Sequence, residues 1–148
     1  MALEALERTT ALTERRKIAL EIGELPELTV SGDRQYLIQM IRNLIENGIK
    51  YSGAGALVRV EVWRLANQAM LRVADTGPGI PAEHLRMLFD RLYRVDAARS
   101  HNDEPGSPSG SGLGLSIVSW IVNAHRGSIR VESEVRKGAS FEVALPLL

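Results

Sequence analysis

The chain has 148 residues, 45% hydrophobic and 24% charged, a length and composition that suit one globular domain burying a core without covalent staples. Eighteen Lys+Arg balance eighteen Asp+Glu, which leaves no broad electrostatic footprint for nucleic acid, and the absence of cysteine removes disulfides and thiolate metal sites. No apolar run approaches the ~18 residues of a membrane span, and Glu4, Glu7 and Arg8 stand where a signal peptide would be apolar, so no membrane contact is expected.

In chain order, Leu3 to Arg16 is charged and weakly amphipathic and predicts a helix. KIALEI (17–22) alternates apolar and polar residues and predicts a strand, and LTV (28–30), after Pro26, a second short one. Asp33 is a candidate N-cap for a helix to about Lys50, whose stripe of Leu37, Ile41, Leu44 and Ile45 would face a core. Val58, Val60 and Val62 alternate with Arg59 and Glu61, and QAMLRVAD follows a short turn, which predicts a hairpin with Asp75 at its far end. Beyond DTGPGIP, Ala82 to Leu92 predicts a short helix, HNDEPGSPSGSG (101–112) a loop, and Leu113 to Ala124 an apolar helix. SIRVES (128–133) and SFEVALP (140–146) close the chain as strands joined by a basic turn at Arg136 to Gly138. Helices and hairpins come in blocks rather than as βαβ repeats. The expectation is an α+β fold, a two-layer sandwich with one mixed sheet under a layer of helices, and residues 1–148 forming a single domain.

Three segments carry groups suited to one ligand. In NLIENGIKYS (43–52), Asn43, Asn47, Lys50 and Tyr51 fall at i, i+4, i+7 and i+8, on one side of the helix. Amide oxygens one turn apart suit Mg²⁺, an ammonium one turn further neutralises phosphate, and the phenol offers a face for a base. Alone, the same ridge is also an ordinary solvated face. DTGPGI (75–80) sets a carboxylate beside backbone that lacks Cβ at Gly77 and Gly79, where a ligand's amine could be accepted; alone, it also reads as an Asx-capped turn. GSGLGL (110–115) opens the apolar helix with free N–H groups that suit phosphate, or else forms a hinge. It is neither a dinucleotide-binding fingerprint, since Leu115 stands at the third glycine, nor a Walker loop, since no Gly-Lys-Ser/Thr occurs.

Taken together, NLIENGIKYS resembles the N box of sensor histidine kinases, DTGPGI the first glycine box, LFDRLYRVD (88–96) the F box and GSGLGLSIV (110–118) the second glycine box, in the family's order and spacing. The tail AHRGSIRVESEVRKGASFEVALP (124–146) is similar to its closing strands, so the likeness runs from about Lys17 to Pro146. The resemblance implies the two-layer Bergerat ATP-binding fold, with a mostly antiparallel sheet. It implies that Asn47 holds Mg²⁺ with Asn43 assisting, that Lys50 contacts phosphate and that Tyr51 flanks the adenine. Asp75 would accept the adenine amine beside Gly77, Gly79 and Ile80. Arg94 would reach the γ-phosphate with Tyr93 beside it, and Arg91 is a further basic candidate. Ser111, Gly112, Leu113, Gly114 and Leu115 would offer backbone to the phosphates of ATP under a lid at 97–111. Two positions depart from the pattern: Gly48 replaces a usual Ala, and Arg126 a usual Gly, so a turn needing φ > 0 there would rely on Gly127.

Relatives that hydrolyse ATP, and serine kinases of the superfamily, carry a Glu one turn before the magnesium Asn; here that residue is Asn43, and an amide cannot take a proton from water. Glu46 projects about 100° around the helix from Asn47. Both facts favour transfer to an imidazole over hydrolysis. His84, His101 and His125 do not sit in the family's phosphoacceptor setting, His125 reading instead as structural. The implied role is therefore that of a cytoplasmic catalytic domain, monomeric when isolated and unable to autophosphorylate alone. It would phosphorylate the phosphoacceptor and dimerisation domain of a longer kinase, either soluble or anchored in the inner membrane, for onward signalling to a response regulator. A non-catalytic nucleotide-binding module and an ATP hydrolase or serine kinase are the alternatives.

Overall fold

A computed structural model describes residues 2–79 and 114–148, apart from the side chains of Ala2, Arg8, Ala11, Tyr51 and Glu134. The predicted helix at Ala82 to Leu92 and the loop at 101–112 lie outside the described residues. Helices α1 (Ala2–Arg16), α2 (Arg34–Ser52) and α3 (Gly114–Ala124) form one layer. Strands β1 (Ala19–Ile22), β2 (Leu57–Leu65), β3 (Gln68–Asp75), β4 (Ser128–Glu134) and β5 (Gly138–Pro146) form the other, in the order β1-β2-β3-β5-β4. Strand β1 runs parallel to β2, and every other neighbouring pair is antiparallel, so the mixed, mostly antiparallel sheet expected from the sequence is the one observed.

Helix α1 carries Glu4 in its first turn and Arg15 and Arg16 in its last, which suits the helix dipole. Its buried Thr9 and Thr13 satisfy their hydroxyls on the carbonyls of Leu6 (2.8 Å) and Thr10 (2.7 Å). It ends where a strand was predicted to begin. Lys17 takes φ 55°, its N–H donates to the Glu14 carbonyl (3.3 Å), and the buried Ile18 donates to Thr13 (3.1 Å). That is a Schellman stop with lysine in place of the usual glycine, and it delays β1 to Ala19.

The LTV segment does not form a strand. Between Gly23 and Gly32 it makes one isolated bridge, Val30 to Leu147, and Leu148 N–H donates to the Thr29 carbonyl at 2.9 Å. Three residues following Pro26 meet only the last residues of the chain, which is too short a stretch for a ladder.

Asp33 caps α2 as expected, its carboxylate accepting from the N–H groups of Gln35 (2.9 Å) and Tyr36 (3.2 Å). The predicted stripe of Leu37, Ile41, Leu44 and Ile45 is buried, but so are Ile38, Met40 and Ile49, because α2 is the central helix and touches α1, α3, β2, β3 and β5. Val58, Val60, Val73, Phe141 and Val143 line the inner face of the sheet, and Val118, Ile121 and Val122 complete the core from α3. The outer face of the sheet is charged. There Glu142 accepts from Arg72 (2.9 Å) and Arg130 (2.9 Å), and Trp63 lies 5.0 Å from the Arg72 guanidinium.

Helix α3 ends by the same device as α1. Arg126 takes φ 59° and donates to Asn123 (3.1 Å), while Gly127 donates to Val122 (2.9 Å). The left-handed residue is thus Arg126 itself, and the expectation that Gly127 would supply φ > 0 is corrected. Gly127 is needed for space instead: a Cβ there would overlap the Ala144 carbonyl oxygen and Leu145 Cδ2. The two positions should therefore respond in opposite directions. Arg126→Gly is expected to stabilise the fold by roughly 0.5–1 kcal/mol, since the left-handed penalty exceeds glycine's entropic one. Gly127→Ala is expected to destabilise it by roughly 1–3 kcal/mol. Urea unfolding of the two variants checks both, and a neutral Gly127→Ala would contradict the close approach.

Candidate functional site

Three members of the polar ridge lie along α2 in the described structure. Asn43, Asn47 and Lys50 are half-buried along it, while Gly48 turns toward the sheet, where a Cβ would meet Val58 at 3.5 Å, an ordinary contact. The replacement of the family's Ala by Gly48 therefore leaves a small gap rather than a strained turn. Glu46 lies beside Arg42, with Oε1 3.5 Å from Nε, and so faces its own helix neighbour. At the N-terminal end of the ridge the Asn43 Nδ2 donates to the Gly114 carbonyl at 3.5 Å, the long limit of a hydrogen bond, which sets the start of α3 beside α2. Gly114 is exposed and Leu115 half-buried at that start.

At the other end stands Asp75, the last residue of β3, paired with Val58 in β2. Its Oδ1 accepts from the Gly77 N–H at 2.9 Å, and the Ala139 N–H and the Ser52 hydroxyl, which donates to the Gly48 carbonyl, lie near its carboxylate. Burial pushes the carboxyl above its ordinary range, and these three donors pull against that shift without cancelling it. The backbone around it is tightly packed. Thr76 and Leu57 exchange two hydrogen bonds (3.0 and 2.9 Å), and the Arg136 N–H donates to the Pro78 carbonyl at 2.7 Å. Gly79 takes φ 77°. Gly138, at φ 104°, lies so close that a Cβ would overlap the Asp75 carbonyl oxygen.

Asn43, Asn47 and Lys50 thus stand on α2, Gly114 lies against Asn43 with Leu115 next to it in α3, and Asp75 ends β3 with Gly77 and Gly79 in the segment after it. The Tyr51 side chain, Ile80, Arg91, Tyr93, Arg94, Ser111, Gly112 and Leu113 lie outside the described residues, as do His84 and His101. His125 is structural: its Nδ1–H donates to the Ile121 carbonyl (2.7 Å) and its Nε2 accepts the Asp33 N–H (3.0 Å), so its partners assign the proton to Nδ1. Gly32 leaves room for the ring, which ties the end of α3 to the cap of α2. Sequence reasoning missed Ser52, Gly138 and Ala139 around Asp75. Ser52 follows the ridge and could have been suspected, but nothing local links positions 138 and 139 to position 75.

An aspartate titrates near ~3.9 in an unfolded chain. Because folding raises that value for Asp75, the ionised carboxylate opposes folding at neutral pH, and the opposition vanishes once both states are protonated. Asp75→Asn is therefore expected to melt a few degrees above the wild type at pH 7, with the gap closing as the pH approaches ~4. Thermal melts over that range test this, and a lower melting temperature for the variant at pH 7 would contradict it.

The sequence matches the family described as Histidine kinase-, DNA gyrase B-, and HSP90-like ATPase over residues 32–148. It is 40% identical over 116 residues to the sensor protein SrrB of Staphylococcus aureus (strain NCTC 8325 / PS 47), which takes in 78% of this chain but 19% of that protein. The chain thus spans about a fifth of the length of the curated relatives it matches. Among solved structures, the mycobacterial sensor histidine kinase MprB superposes with a TM-score of 0.81 at 32% identity, covering 99% of this chain and 93% of that one. Full-length ShkA in complex with AMPPNP superposes with a TM-score of 0.82 at 26% identity, over 99% of this chain and 29% of that one. Family, relatives and fold agree with the four boxes read along the sequence: the chain belongs to the histidine kinase-, DNA gyrase B- and HSP90-like ATPases, as an ATP-binding catalytic domain of the bacterial sensor histidine kinase kind.

Proposed function

We propose that this domain binds Mg–ATP along α2 and transfers the γ-phosphoryl group to a histidine on a separate dimerisation domain, for relay to a response regulator. One observation carries the reading. The helix touches Gly114 through Asn43 and Asp75 through Ser52, contacts nine residues apart and ~13 Å along its axis. An extended nucleoside triphosphate can bridge that span, base toward Asp75 and phosphates toward α3. The remaining lone pairs of Asp75 would accept the adenine amine, between Gly77, Gly79 and Ile80 and the ring of Tyr51. The amide oxygens of Asn47 and Asn43, one helical turn apart and completed by phosphate and water, would suit Mg²⁺. Bound there, the ion would supply charge neutralisation between phosphates. Lys50 would contact phosphate, and the backbone from Ser111 to Leu115 would cradle it. Arg94 and Tyr93 would meet the γ-phosphate under a lid at 97–111.

Of the described residues of α2, neither Asn43 nor Glu46 is placed to activate water. Asn43 donates its amide to Gly114 and Glu46 lies against Arg42, which favours an acceptor that needs little activation, such as imidazole, over hydrolysis. The domain, residues 1–148, would act as one unit in the cytoplasm. No described helix is long and apolar enough to cross a membrane.

Calorimetric titration with Mg–ATP tests the site: Asn47→Ala and Asp75→Asn are each expected to weaken binding by roughly tenfold or more, the worth of a hydrogen bond to a charged group. Unchanged affinity in both variants would overturn the assignment. Radiolabelled ATP with a supplied histidine-bearing dimerisation domain tests the transfer, and intact binding without labelling would leave a nucleotide-binding interaction module.

A further inference from the structure

The segment after Asp75 runs Thr76, Gly77, Pro78, Gly79, and its own residues do little to hold it in place. Its glycines widen the backbone's choice, Gly79 standing at φ 77°, and Pro78 has no N–H to donate. Support comes from two sides. On one, Thr76 exchanges two hydrogen bonds with Leu57 at the start of β2. On the other stands the three-residue loop between Glu134 of β4 and Gly138 of β5. There the Arg136 N–H donates to the Pro78 carbonyl at 2.7 Å, at the expense of a left-handed φ of 70° that disfavours a residue with a Cβ. Gly138 lays its backbone directly on the strand end: a Cβ there would overlap the Asp75 carbonyl oxygen and stand 2.9 Å from the carbonyl carbon and 3.2 Å from the Thr76 Cα. The loop is braced in turn by Ser133, whose hydroxyl donates to the Gly138 carbonyl at 3.1 Å.

We propose that the β4–β5 loop presets the base-binding end of the site, with Gly138 as the positioning residue that aims the Asp75 carboxylate. The proposal rests on the reading of Asp75 as the partner of the adenine amine. The carbonyl and the side chain of Asp75 leave the same Cα, so a strand end pushed aside at Gly138 swings the carboxylate with it. The Gly77 N–H that binds Asp75 Oδ1 at 2.9 Å belongs to the same braced segment, so the loop fixes both the carboxylate and its donor. A hydrogen bond weakens steeply once it is bent or stretched, so an N–H on a ligand would feel a small change of aim. Gly138 has no side chain to offer a nucleotide, and its effect on affinity therefore passes through Asp75.

Calorimetric titration of the chain with Mg–ATP, run as a double-mutant cycle with Asp75→Asn, tests this. Gly138→Ala is expected to weaken binding by about tenfold in the wild-type background and by less than about twofold in the Asp75→Asn background, where the carboxylate is gone. Ser133→Ala removes only the brace and is expected to cost about threefold, with the same dependence on Asp75, while Ser133→Thr, which keeps the hydroxyl, restores wild-type affinity. Should Gly138→Ala fail to fold, Ser133→Ala takes its place in the cycle. Wild-type affinity in the variant that carries the cycle would overturn the proposal. An equal loss in both backgrounds would make the effect one on the fold at large and overturn it as well. If Asp75→Asn by itself leaves ATP affinity unchanged, the reading of Asp75 falls and takes this proposal with it.

Discussion

Helix α2 must satisfy two demands with a single circumference. It packs against α1, α3 and three strands, so most of its surface has to be apolar. Yet the proposed function also asks Asn43, Asn47 and Lys50 to stand where a ligand can reach them. A helix that was amphipathic in the usual way would give its polar half to solvent. This one buries Leu37, Ile38, Met40, Ile41, Leu44, Ile45 and Ile49 and keeps a narrow half-buried ridge. Under the proposed function that enclosure would help, because a helix packed on several sides fixes the backbone spacing of the two amides and the ammonium before a ligand arrives.

At the far end of the ridge the conflict is electrostatic. Asp75 is half-buried, and burial disfavours its charge. Three donors from three parts of the chain, the loop after β3, the start of β5 and the end of α2, make the charge tolerable without making it favourable. A carboxylate left slightly under-satisfied in this way gains more from an incoming N–H than one already saturated by the protein. Under the proposed function, stability given up at one residue would become binding capacity there.

The same close packing explains the chain's unusual backbone. Both Lys17 and Arg126 take left-handed conformations that favour glycine, because each closes a helix whose next residue must turn straight into the sheet or against it. Gly127 and Gly138, by contrast, serve as points where two backbones touch. His125 adds a polar tie between the end of α3 and the cap of α2.

Much of this was legible along the sequence, and for a local reason. The hairpin of β2 and β3, the cap at Asp33, the stripe on α2 and the motifs around Asn47 and Asp75 are all written in residues close in sequence, where periodicity of two or 3.6 and turn chemistry operate. Elsewhere local reading failed: KIALEI lost its first two residues to a left-handed helix stop, LTV was too short for more than a single bridge, and Arg126 rather than Gly127 took the positive φ. Only the tertiary structure decided what surrounds Asp75. Ser52, Gly138 and Ala139 come from distant parts of the chain, and a buried carboxylate's proton affinity depends on which donors the packing delivers to it, a property that no stretch of neighbouring residues encodes.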